Sequence, residues 1–248
     1  MNTASSKIDF SLILPCYNEE KYLASSIQQI VSVLNSTAYS YEIIFVDDMS
    51  LDETRKIIDR FVASPATHSR RIFNKHNIGR GGTVMRGIRR AHGKWVGFID
   101  IDLEVGAHYI PYCLASLAEG ASVVTGLRIY KISLRGIFRH LASKCYGGLV
   151  RFLLKLPLHD TETGFKFFDR SAVLPLLSQV KETGWFWDTE IMARCVQHEL
   201  TIIEKPCLFI RRHDKTSSVR LIRDSLRYLL SLLKNVHELR NINKKNHS

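Results

Sequence analysis

The sequence predicts a single α/β domain built on a mostly parallel sheet. Three observations lead there. Short apolar runs alternate with segments of helical spacing, in the order β-α-β-α, through the first hundred residues. Those runs are almost continuously apolar, as strands covered on both faces are. The 248 residues are 45% hydrophobic, enough for one sizeable core, and no repeat, low-complexity block or linker divides them.

Ile8 to Leu14 reads as a buried strand stopped by Pro15. Glu19 to Leu34 carries Leu23, Ile27, Ile30, Val31 and Leu34 at helical spacing. Tyr41 to Val46 is a second buried strand, ending in Asp47-Asp48. Ser50 to Val62 reads as a helix with Asp52 and Glu53 in its first turn, where the dipole favours acids. Arg71 to Phe73 is a short strand, Thr83 to Ala91 a helix, and Trp95 to Ile99 a buried strand ending in Asp100. Beyond Ile110 the pattern changes. Pro111 to Ala118 and Trp187 to His198 read as helices; Ala121 to Thr125, Phe165 to Phe168 and Thr201 to Ile210 read as strands. Leu134 to Leu156 and Val219 to Leu239 are long, basic helical segments, and Asn241 to Ser248 is a frayed tail. Residues 1–218 are expected to form the domain, with 219–248 as a C-terminal amphipathic helix and tail of the same unit.

Charge is divided unequally. Residues 1–127 hold 13 Lys/Arg and 13 Asp/Glu, whereas 128–248 hold 22 and 11, so the whole net charge of +11 lies in the second half. Either that half meets something anionic, or it is simply a basic solvated surface. Five scattered cysteines without a CxxC pair fit reduced thiols in a cytosolic setting better than disulfides or zinc. No signal peptide is visible, and no run approaches the roughly 18–20 apolar residues of a membrane span. Any membrane contact is therefore expected to be peripheral.

Acidic residues gather where buried strands stop. Ligands of open α/β sheets bind beyond the carboxyl ends of the strands, which is where Asp47, Asp100 and Asp102 fall. Asp100, Asp102 and Glu104 alternate, so extended backbone would aim all three the same way. A hard divalent ion, Mg²⁺ or Mn²⁺, would relieve their repulsion and would screen a diphosphate. Taken alone, Asp-x-Asp also fits a solvated turn, and Asp47-Asp48 also fits a helix cap. Asn77-Ile78-Gly79-Arg80-Gly81-Gly82 either brings backbone N–H groups to a phosphate or serves as a flexible entry to the next helix.

Taken in order, these pieces resemble family 2 glycosyltransferases of the GT-A fold. Pro15-Cys16-Tyr17-Asn18-Glu19-Glu20 is similar to the family's P-x-Y-N-E-E, and Val46 to Thr54 resembles V-D-D-x-S-x-D-x-T. Asn77 to Ala91 and Gly93 to Leu103 resemble the glycine-rich and D-x-D-L motifs. Asp160 to Lys166, Gly184 to Glu190, and the segment from His213 resemble dolichyl- or polyprenyl-phosphate sugar synthases. The resemblance covers roughly residues 8–234.

The resemblance implies a metal-dependent, inverting transfer of a hexose from a nucleotide-sugar of UDP-glucose or GDP-mannose type to a polyprenyl or dolichyl phosphate. Pro15, Tyr17, Glu19 and Asp47 would contact base and ribose, with Lys166 and Arg212 also on the donor side. Asp100, Asp102 and Glu104 would arrange metal and diphosphate, and Arg128 would face the phosphates. Arg139 and Ser143, four apart on a helical face, match the pair that receives the lipid phosphate. Asp188 and Glu190 would hold the acceptor side together. Met49 and Glu53 stand where glycine is common, and Arg80 replaces the usual lysine.

On the terminal helix Arg220, Arg223, Arg227 and Lys234 form a basic stripe beside Ile222, Leu226, Leu229, Leu230 and Leu233. That helix and Gly136 to Leu156 either lie on the cytoplasmic face of a membrane or pack on the core or a second subunit. A family 2 enzyme with a soluble or polysaccharide acceptor is the second reading. A basic nucleic-acid- or membrane-binding module would explain the charge but not the ordered acidic motifs, and no nucleic-acid motif is present.

Overall fold

In the computed structural model the described residues are 8–64, 68–130, 148, 152–154, 156–211, 230 and 232. They form seven strands: β1 Phe10–Cys16, β2 Tyr41–Asp47, β3 Ser69–Phe73, β4 Trp95–Ile99, β5 Val123–Tyr130, β6 Phe165–Asp169 and β7 Ile202–Phe209. The helices are α1 Leu23–Asn35, α2 Thr54–Val62, α3 Arg80–Arg90, α4 Ile110–Ala118, α5 Arg170–Val173 and α6 Trp187–Gln197. One sheet contains all seven strands in the order β3-β2-β1-β4-β6-β5-β7. Only β6 runs against its neighbours, pairing antiparallel with both β4 and β5.

The apolar strands are buried on both faces, as their composition requires. Phe10, Leu12 and Leu14 of β1 face a core shared with Ile27 and Ile30 of α1 and Leu114 and Leu117 of α4. Ile13, between them, faces a second core with Val84 and Ile88 of α3 and Ile191 and Met192 of α6. Each such side chain contributes about 1.5–3 kcal/mol on burial. At the amino end of the sheet the buried Glu42 accepts bonds from Ser11 Oγ at 2.6 Å and from the partly exposed Arg70 Nε at 2.8 Å, far from the loops described below.

Most predicted elements are present with shifted ends. The α1 and α2 helices begin later than periodicity suggests, at Leu23 and Thr54, because the residues before them bond to each other across the two loops. The α3 helix begins earlier, at Arg80, running through the glycine stretch. Tertiary pairing with β7 extends β5 to Tyr130. Among the described residues no helix is long and apolar enough to cross a membrane.

The reversed direction of β6 has a positional consequence. Its first residue, Phe165, pairs with Ile99, the last residue of β4. Residues 160–164 therefore lie at the same sheet edge as the carboxyl ends of β1, β2, β4 and β5.

Candidate active site

The loops after β1 and β2 are stitched together. Asn18 N donates to Ser50 Oγ at 2.8 Å, and Leu51 N returns a bond to Asn18 Oδ1 at 2.8 Å. Glu19 N donates to Thr54 Oγ1 at 2.7 Å, and Glu53 N to Glu20 Oε2 at 2.9 Å. Polar residues at these spacings thus satisfy loop backbone that would otherwise lack partners. Asp47 lies beneath them, fully buried. Its carboxylate accepts bonds from Met49 N at 3.1 Å, Ser50 N at 3.1 Å and Arg55 Nε at 2.5 Å. Tyr17 is 43% exposed above this floor, and Pro15 and Glu19 are half-buried beside it.

Asp48 holds the glycine-rich turn. Its carboxylate accepts from Ile78 N and Gly79 N, both at 2.9 Å, and from Asn74 Nδ2 at 2.8 Å. Gly82 N donates to Thr183 O at 3.0 Å. These three amides are thus occupied by protein, which favours a docked helix entry over an open phosphate cradle. Glycine is needed for close approach: a Cβ on Gly81 would stand 2.3 Å from Trp187 Cβ. Gly79 also has φ of +82°, a conformation glycine adopts without strain.

After β4 the chain turns rather than extending. Leu103 N bonds to Asp100 O at 3.2 Å, Leu103 has φ of +52°, and Ile101 is buried in the core. The strand-like alternation expected for Asp100, Asp102 and Glu104 is therefore corrected, and a turn carries the three acids. Asp102 Oδ1 accepts from Glu104 N at 3.3 Å. Desolvation raises the pKa of Asp100, and the nearby Asp102 and Asp188 raise it further, against the opposing pull of Arg80.

Arg80 is the hub of this edge. Its Nε and Nη2 donate to Asp100 Oδ1 at 3.0 and 2.7 Å, and its Nη1 pairs with Asp188 Oδ2. The guanidinium lies over the rings of Phe98 and Trp185, 5.3 and 5.4 Å from their centroids. Burial alone would lower its pKa, but Asp100 and Asp188 more than offset that and keep it charged. Asp188 Oδ1 accepts from Lys166 Nζ at 3.1 Å, and Lys166, fully buried, also donates to Thr163 O. Burial lowers the Lys166 pKa. Lys166 is thus held behind the edge by protein partners. Gly164 closes the cluster: Asp100 N donates to Gly164 O at 3.0 Å, and a Cβ there would overlap Asp100 Oδ2 at 1.8 Å.

On β5, Arg128 holds Asp160 with Nε at 2.6 Å and Nη2 at 2.8 Å, and reaches Glu162 Oε2 at 3.4 Å. Burial alone would raise the Asp160 pKa, but the charge and hydrogen bonds of Arg128 lower it below the usual aspartate value.

The edge therefore brings together Pro15, Tyr17, Glu19, Asp47, Asp100, Asp102, Glu104 and Arg128, with Lys166 behind them. Arg139, Ser143 and Arg212 lie outside the described residues, as do most of the two basic helical segments. Sequence reasoning treated Arg80 only as a replacement and passed over Asp160 as the partner of Arg128. Separations of 20, 108 and 32 residues hide these pairs from any local pattern. Among the described residues no three His, Cys, Asp or Glu side chains form a ready-made metal cage. A small hard cation commonly takes one or two carboxylates together with substrate phosphates. Two mutually repelling carboxylates at an open turn, Asp100 and Asp102, suit that donor set.

Comparison with known proteins adds to this geometry. Residues 11–176 match the model of glycosyl transferase family 2. The chain is 31% identical over 224 residues to glycosyltransferase AglD of Haloferax volcanii, a match covering 88% of this chain and 35% of AglD, so it spans about a third of that relative. It is 26% identical over 257 residues to a dolichyl-phosphate beta-glucosyltransferase of Dictyostelium discoideum, covering 92% of this chain and 77% of that one. A crystal structure of glucosyl-3-phosphoglycerate synthase from Mycobacterium tuberculosis, in complex with Mn²⁺, UDP-glucose and phosphoglyceric acid, shares the fold. Its TM-score is 0.69 at 20% identity, with 93% of this chain and 80% of that chain covered.

Proposed function

The chain belongs to glycosyl transferase family 2, and from that premise we propose that it transfers a hexose from a nucleotide-sugar to a polyprenyl-type phosphate. The observation that carries the reading is the acidic turn Asp100–Glu104 at the carboxyl end of β4, beside the loops of β1 and β2. Open α/β sheets bind ligands at that edge. The names of AglD and of the Dictyostelium enzyme support the reaction class, and the latter supports a lipid phosphate as acceptor.

In this reading Pro15, Tyr17, Glu19 and the Asp47 loop receive base and ribose. Asp102, with Asp100 and Glu104, would hold a divalent cation, Mg²⁺ or Mn²⁺, which when bound would supply positive charge to a departing diphosphate. A phosphate oxygen of the acceptor forms the new bond to the anomeric carbon. The bond from that carbon to the donor diphosphate breaks, and its electron pair leaves with the nucleotide. The acceptor is already anionic, so no strong general base is needed. Alignment and fixed positive charge carry the rate, with Arg128 facing the donor phosphates, Arg212 also on the donor side, and Arg139 and Ser143 receiving the acceptor phosphate. Lys166 serves from behind through its bond to Asp188.

The basic segments 136–156 and 219–239 hold the protein at the cytoplasmic face of a membrane. Leu154, Leu156 and Leu232 share a small core with Phe186 and Ala193, while Phe152 and Leu230 are 76% and 66% exposed. At these described positions exposed apolar side chains stand beside ones packed on the domain, which supports an outward apolar face.

The test is incubation with Mn²⁺, radiolabelled UDP- and GDP-sugars, and short polyprenyl phosphates. Organic-soluble label is the expected result. Label transferred only to water-soluble acceptors would move the acceptor to the second reading, and no metal-dependent nucleotide-sugar binding would sink both.

A further inference from the structure

Two cations and two carboxylates meet where α3, β4, β6 and α6 converge, and their connections run toward the acidic turn. Both Arg80 donors that reach Asp100 use Oδ1, while Oδ2 lies against Gly164. Arg80 has little freedom of its own, since it lies over the rings of both Phe98 and Trp185 and its remaining Nη1 is on Asp188. Asp188 is 2% exposed. One of its oxygens takes Arg80 and the other takes Lys166, which is fixed in turn by Thr163 O. The segment leading into α6 is itself locked to α3 through Gly82 N and Thr183 O.

We infer that Asp188 is a positioning residue that acts through Arg80 to fix where the Asp100 carboxylate stands. This deepens the proposed function and rests on it for its catalytic meaning. An aspartate needed only to neutralise Lys166 would not have its second oxygen on a different cation. A guanidinium can bridge two carboxylates in one plane, which a lysine ammonium does less rigidly. That accounts for arginine at position 80 in this chain. Asp188 is too deeply buried to touch a ligand, so its effect must pass through Arg80. Losing it frees one arm of the guanidinium, and Asp100 loses its fixed partner geometry. A misplacement of about 1 Å at a reacting site costs on the order of 10²-fold in rate.

The test has two arms. In the kinetic arm, Asp188→Asn is made together with Lys166→Met, so that no buried ammonium is left without its carboxylate, and is compared with Lys166→Met alone. The expected result is a kcat at least ~10-fold lower with donor KM changed less than ~3-fold, the pattern of lost alignment rather than lost binding. Equal kcat in the two proteins would overturn the inference. The second arm needs no substrate. Asp100→Asn, Asp188→Asn and the double variant are compared by urea unfolding in the Lys166→Met background. Either single variant leaves Arg80 one carboxylate, and the double leaves it none. The double should therefore raise the unfolding constant at least ~5-fold beyond the product of the singles, and a double that fails to fold while both singles fold counts the same way. A multiplicative result within ~2-fold would show that Arg80 does not couple the two positions, and would overturn the inference. If the unmodified protein transfers sugar from no donor, the proposed function fails, while the unfolding arm still decides the coupling.

Discussion

Gly164→Ala should separate the acidic turn from the rest of the fold. A methyl at this position would stand 1.8 Å from Asp100 Oδ2, 2.4 Å from Asp100 Cγ and 2.6 Å from Arg80 Nη2. A non-bonded carbon–oxygen contact needs about 3.3 Å, so the carboxylate must retreat by roughly 1.5 Å. Gly164 does not have positive φ, so alanine brings no backbone strain, and the atoms it meets are the ends of side chains. Asp100 keeps 39% side-chain exposure and has room to rotate away. The cost to stability should stay within about 1–3 kcal/mol, as for other overpacked sites. The cost to transfer should be on the order of 10²-fold, because the displacement exceeds the ~1 Å that already costs that much at a reacting centre. Gly126→Ala is the control: its nearest neighbour would be Thr163 Oγ1 at an ordinary 3.4 Å. Urea unfolding and initial rates on the same preparations supply both numbers. Transfer by Gly164→Ala within ~3-fold of the unmodified protein would refute the reasoning, as would a fall equalled by Gly126→Ala.

Three further outcomes follow from the same structure. Asp48→Ala leaves Ile78 N without its acceptor, and leaves Gly79 N and Asn74 Nδ2 only the longer bonds to Asn77 Oδ1 at 3.2 Å and Thr83 Oγ1 at 3.4 Å. It should destabilise the protein by about 1–3 kcal/mol, the cost of one orphaned donor; no measurable loss in urea unfolding would contradict the loop's wiring. Cys16, Cys113, Cys195 and Cys207 are buried, and burial raises the thiol pKa of Cys195 to about 12 and of Cys207 to about 11. None of the four should react with a thiol reagent at neutral pH until denaturant is added; mass-spectrometric labelling of any one in the folded protein would count against the core described above. Asp160 has a folded pKa below its unfolded value of about 3.9. Its contribution is full above that value and is lost as pH falls toward the folded pKa. Stability below about pH 4 should therefore fall less steeply in Asp160→Asn than in the unmodified protein, and parallel acid-unfolding curves would contradict the pairing with Arg128.

What was legible in the sequence was whatever periodicity and local motif carry. Trp95–Ile99 needed no correction, because Trp95, Val96, Phe98 and Ile99 form a short apolar run between Lys94 and Asp100. The α1 and α2 starts were misjudged, because Asn18, Glu20, Ser50 and Asp52 bond across two loops more than thirty residues apart. The acids at strand ends were visible as residue types, but their backbone was not. Alternation suggested an extended strand where Leu103 adopts φ of +52° and closes a turn. The glycine stretch reads from its residues either as a phosphate cradle or as a helix entry, and the buried Asp48 carboxylate at the end of β2, by taking two of its amides, favours the second. Arg80, Asp188 and Lys166 come together only because β6 is reversed and α6 docks against α3, arrangements that no local spacing encodes.

The central claim is that the turn after β4 is where a sugar leaves its nucleotide for a lipid phosphate. The most direct measurement compares the unmodified protein with Asp102→Ala, both shown to be folded, for Mn²⁺-dependent transfer of labelled sugar into an organic-soluble polyprenyl phosphate product. The account predicts label in the organic phase for the first and none above background for the second. Equal transfer by both proteins would contradict it.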